Sequence, residues 1–60
     1  MDKPKWVEVT PHHHILEGFG FVRMDEITGR WEAHPLPKFR ERPMTYVSSY
    51  VAKGWLESLR

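Results

Sequence analysis

The run Ile15-Leu16-Glu17-Gly18-Phe19-Gly20-Phe21-Val22-Arg23-Met24, followed by Asp25-Glu26-Ile27-Thr28-Gly29-Arg30 and then Trp31-Glu32-Ala33-His34, decides the fold. Its first ten residues are β-prone, the next six read as a hairpin turn, and the last four read as the return strand. Gly29 supplies the positive φ that such a turn usually needs. Pro35 and Pro37 cannot donate to a ladder and end the return strand.

Upstream, Trp6-Val7-Glu8-Val9-Thr10 is a short β-prone run stopped by Pro11, and His12-His13-His14 reads as a connection. Downstream, Pro35, Pro37 and Pro43 keep residues 36–43 from being helical throughout, so an extended loop or ragged edge is expected there. Val51, Ala52, Trp55, Leu56 and Leu59 then recur on one face of an amphipathic helix, with Ser48 or Ser49 as its N-cap. Gly54 costs about 1 kcal/mol in a helix interior relative to alanine, and close approach to the sheet would explain it.

The expected architecture is α+β: a three-stranded antiparallel sheet with one C-terminal amphipathic helix packed on one face. The chain forms a single small domain over residues 1–60. Residues 1–5 are a tail, 6–36 the sheet, 37–47 a Pro-rich basic connection and 48–59 the helix. Two registers of the hairpin remain open. Without a bulge, Met24 pairs with Trp31, Val22 with Ala33 and Arg23 with Glu32, which leaves Phe19, Phe21 and His34 outside. A bulge at Arg30 instead puts Phe19 and Phe21 on the face of Trp31 and Ala33, and the burial preference of Phe favours this second register.

The chain has 60 residues, no cysteine and a formal charge of +1. It is short enough to bury only about 60% of the surface its unfolded form exposes. Without cysteine there is no thiolate nucleophile, thiolate zinc site or disulfide scaffold. No apolar run approaches a membrane span, and Met1–Lys5 leads into no signal-peptide stretch, so a cytoplasmic protein without a membrane role is expected. Basic and acidic residues are unevenly placed: four against six in residues 1–35, five against two in residues 36–60. Most of the basic excess lies in Lys38-Phe39-Arg40-Glu41-Arg42.

Gly18-Phe19-Gly20-Phe21-Val22 resembles the centre of the RNP1 motif of RNA-recognition-motif domains, in which alternate aromatics on a sheet stack on bases. Glu17 stands where that family has Lys or Arg, and Met24 where it has an aromatic. Only 17 residues precede Gly18, too few for the strand, helix and strand that come before RNP1, so the chain is set outside that family. Three strands followed by a helix also resembles the arm-type DNA-binding domains of tyrosine recombinases, whose sheet enters the major groove. That likeness implies Arg23, Arg30 and His34 as contact residues. With Phe19 and Phe21 added, these residues make up the nucleic-acid surface an open sheet face would offer.

His12, His13, His14 and His34 invite a metal reading, with Glu17 or Glu32 completing a site. Adjacent strand residues point in opposite directions, so only His12 and His14 could share an ion, and the cluster reads better as a solvated loop with no metal. The chain lacks a G-x-S-x-G elbow, a phosphate-cradling glycine loop and H-E-x-x-H, so no enzyme activity and no cofactor are expected. Eight aromatic residues exceed what so small an interior can enclose. Phe39, Arg40, Arg42, Tyr46 and Tyr50 form the mixture of aromatic and Arg side chains that dominates binding hot spots. The leading expectation is a non-enzymatic protein-interaction module of adaptor or inhibitor type, from a phage or mobile element by its size. Its partner is another protein, with a homo-oligomer or larger assembly also open. Nucleic-acid binding is the alternative.

Overall fold

Gly18 and Gly20 split the long β-prone run into two strands. In a computed structural model, which describes residues 5–59, Gly18 has φ +84° and Gly20 φ +147°. The chain reverses over Glu17–Phe19, where the Phe19 N–H donates to the Leu16 carbonyl at 3.0 Å. A Cβ on Gly20 would lie 2.1 Å from the His34 carbonyl oxygen, so this position needs glycine for space as well as for φ. The single strand expected over residues 15–24 is therefore a hairpin.

Among the described residues there are five strands: β1 (Trp6–Thr10), β2 (His13–Leu16), β3 (Gly20–Met24), β4 (Trp31–Pro35) and β5 (Met44–Tyr46). They form one antiparallel sheet in chain order, β1-β2-β3-β4-β5, and not the three-stranded sheet the sequence suggested. The two added strands come from the break at Glu17–Phe19, which divides residues 15–24 between β2 and β3, and from β5. His13 and His14, expected in a connection, belong to β2, with Pro11 and His12 in the turn before it. β5 is a three-residue strand after Pro43, too short to show periodicity, and its pairing with β4 sets it. Between β4 and β5 the chain makes a 3₁₀ turn over Pro37–Phe39, closed by Arg40 in the left-handed region at φ 56°.

The β3–β4 turn is held by its own polar groups. Asp25 Oδ1 accepts from the Ile27 N–H at 2.8 Å and Thr28 Oγ1 from the Arg30 N–H at 3.2 Å. Gly29 sits at φ +74° and donates to the Asp25 carbonyl. There is no bulge at Arg30. Met24 pairs with Trp31, Arg23 with Glu32, Val22 with Ala33 and Phe21 with His34. The bulge-free register holds, and the preference of Phe for the interior, which favoured the other, is overridden by the turn.

The helix α1 spans Ser49–Glu57, with Ser48 as N-cap: its Oγ accepts from the Val51 N–H at 3.2 Å. It packs on β3, β4 and β5. Among the described residues the buried hydrophobic core is Leu16, Val22 and Ala33 from the sheet and Ala52 and Leu56 from the helix, rimmed by Trp6, Phe19, Trp31, Tyr46, Trp55 and Leu59. Val51, expected on the buried face, is exposed. A Cβ on Gly54 would meet nothing within 4 Å, so close approach to the sheet is not the reason for that glycine. Gly54 instead borders a cleft of about 240 Å³ between Trp6 and Tyr50, with Lys53 and Glu57 on its walls. The tail expected over residues 1–5 lies outside the described residues except for Lys5.

Candidate functional site: the uncovered face of the sheet

Side chains of directly opposed strand residues share a face, so the register sorts the sheet into two surfaces. One carries Leu16, Val22 and Ala33 and is covered by α1. No element among the described residues packs on the other, which presents two cross-strand rows. The first runs Val7, Ile15, Phe21, His34 across β1 to β4. The second runs Thr10, His13, Arg23, Glu32, Thr45 across β1 to β5, a bulge near Val9 bringing Thr10 opposite His13.

Up to His34 the first row is apolar, where a solvated antiparallel sheet normally turns polar residues outward. Val7 is 52% exposed and Ile15 38%. Phe21 stands between two imidazoles: His34 stacks on it at 4.7 Å between centroids and 11° from parallel, and His13 lies 5.2 Å away at 46°. The second row is charged but self-compensated. Glu32 Oε1 accepts from Arg23 Nε at 3.1 Å and from His34 Nε2 at 3.0 Å. These bonds, that from His34 first and that from Arg23 second, hold the Glu32 carboxyl below its ordinary value of 4.5.

Of the residues expected for a nucleic-acid surface, Phe21, Arg23 and His34 do share this face. Arg30 is exposed in the turn just before β4. Phe19 leaves the set: it sits in the β2–β3 turn, packs against the core and stacks on Phe39 at 5.7 Å. The expectation that Phe19 and Phe21 would share a face fails because the two glycines interrupt the strand's alternation between them.

The expected patch of Phe39, Arg40, Arg42, Tyr46 and Tyr50 is divided among different surroundings. Phe39 lies in the 3₁₀ turn, stacked with Phe19, and the Lys38 ammonium is 5.1 Å from its ring centre. Arg40 and Arg42 are exposed in the connection. Tyr46 is half-buried at the core rim, 6.4 Å from Trp55 between ring centres. Tyr50 is 86% exposed on the helix. Sequence reasoning missed Val7, Ile15 and His13 as members of the open face. The signal was the alternation of β1 and β2, usable only with the register known.

The other histidines turn toward the helix side. His12 and His14 approach the Trp31 ring at 6.3 and 5.6 Å, and His14 Nε2 lies 3.1 Å from the Pro11 carbonyl. Among the described residues no three His, Asp or Glu side chains converge as a metal site would require. None of the described helices is long and apolar enough to cross a membrane. No family model matches the chain, and comparison with curated proteins and with solved structures finds no match.

Proposed function

We propose that this chain is a non-enzymatic protein-interaction module, of adaptor or inhibitor type and acting in the cytoplasm, that binds its partner through the uncovered face of the sheet. The carrying observation is the row Val7, Ile15, Phe21, His34, whose first three members are apolar on the side of the sheet that would otherwise meet water. Burying such a row is worth roughly 25 cal/mol per Å² of apolar area, and the Phe21 ring, already held between two imidazoles, loses little freedom when covered. The exposed Arg40 and Arg42 in the connection and Tyr50 on the helix belong to different elements and form no such row.

The test is capture of a partner by the native chain beside Phe21→Asp and Ile15→Asp variants whose folding is checked by amide NMR. A partner lost with either open-face variant and kept by Arg40→Ala with Arg42→Ala supports the reading. A partner indifferent to Phe21 and Ile15 overturns it.

The stacked pair Phe21 and His34, with the tilted His13 ring beside it, favours a second reading, in which bases of single-stranded nucleic acid extend the stack. Its weakness is charge, because Arg23 is already neutralised by Glu32. Oligonucleotide binding at low salt that shifts Phe21, Arg23 and His34, and weakens steeply as salt is added, would put this reading first.

A further inference from the structure

We infer that the partner on the open face is a second copy of this chain, packed sheet against sheet about a two-fold axis that runs along the strands between β3 and β4. This rests on the reading of that face as a protein-binding surface. The seam between β3 and β4 carries two complementary neighbours, one in each row. Arg23 on β3 sits beside Glu32 on β4, and Phe21 on β3 sits beside His34 on β4. A two-fold along that seam lays each β3 over the partner copy's β4. Arg23 of each copy then meets Glu32 of the other, and Phe21 of each meets His34 of the other.

One axis therefore satisfies the charged row and the apolar row together, the self-complementarity that an isologous interface demands. Each face carries one fixed positive and one fixed negative charge at the seam, so two identical faces approach without net repulsion. Sheets stacked in this way lie about 10 Å apart with their strands within about 30°. β2 then lies over the partner copy's β5, a strand whose single outward residue, Thr45, leaves room for His13 and Ile15.

The overlap of four strands spans roughly 300 Å² in projection. That is well below the about 800 Å² per partner of a standard interface, so the pair is weak and exchanges rapidly. Sedimentation equilibrium of the native chain from about 10 µM to about 1 mM should show its mass rising from 7.2 kDa toward twice that value.

Arg23→Glu makes the seam wholly acidic and Glu32→Arg makes it wholly basic, so each variant alone should weaken self-association at least about ten-fold. Their equimolar mixture should restore association as a mixed dimer. Isotope-filtered NMR of a labelled and unlabelled mixture of the native chain, which needs no variant, should show contacts between Phe21 of one copy and His34 of the other. A native chain that stays at 7.2 kDa throughout overturns the inference, as does a dimer indifferent to both charge reversals. If the chain is monomeric and Phe21→Asp still abolishes capture of a different protein, the second copy is wrong while the binding face stands.

Discussion

The imidazole of His34 lies flat on the ring of Phe21, 4.7 Å between centroids and 11° from parallel, while its Nε2 holds Glu32 at 3.0 Å. One side chain thus ties the apolar row of the open face to its charged row. The two sides of the sheet consequently respond differently to substitution.

Phe21→Ala removes ring contacts on a surface that the fold itself leaves uncovered, and should cost only about 1 kcal/mol. Leu56→Ala opens a hole in the core formed with Leu16, Val22, Ala33 and Ala52 and should cost about 2–5 kcal/mol. Urea denaturation followed by tryptophan fluorescence should place the Phe21 variant near the native chain. The Leu56 variant should be largely unfolded without denaturant.

Gly20 and Gly54 should respond to alanine in opposite directions. At Gly20 the new Cβ meets the His34 carbonyl at 2.1 Å on a backbone with φ +147°, so β3 must part from β4 and the melting temperature should fall steeply. At Gly54 the Cβ meets nothing, and the gain in helix propensity should stabilise the chain by about 1 kcal/mol. Thermal melts of both variants check this.

Glu32 makes stability depend on acid. Its folded pKa is lowered by the bonds from His34 and Arg23, so the ionised carboxylate favours the folded state. That contribution is complete above the ordinary value of 4.5 and is lost as pH falls through the lowered folded value. Glu32→Gln should therefore melt below the native chain at pH 7, and the two curves should converge in acid. Circular dichroism melts between neutral pH and pH 3 give the comparison.

What could be read from the residues was local. The β1 run ending before Pro11, the Asp25–Arg30 turn with Gly29 and the helix capped by Ser48 each follow from neighbouring side chains and backbone preferences. The break at Glu17–Phe19 was not legible, because apolar residues continue on both sides and Gly18 and Gly20 read equally well as a bare strand face. β5 depends on pairing with β4, and nothing within Met44–Tyr46 announces it. The site was half legible. Phe21, Arg23 and His34 could be named, but a six-residue turn permits either parity, and only the observed pairing brings Val7, Ile15 and His13 to them.

The Trp6 indole N–H donates to Glu57 Oε2 at 2.6 Å, across 51 positions of the chain, whereas every strand pairs with its neighbour in sequence. Assembly in time should follow that difference. Hairpins closed by short turns form early and cheaply, and a fold built from them is fast. The tie between the two ends requires the longest loop closure and should form after the rate-limiting barrier. Trp6→Phe, which keeps a ring and loses the donor, should accordingly leave the refolding rate unchanged and accelerate unfolding, so that only one arm of the chevron moves.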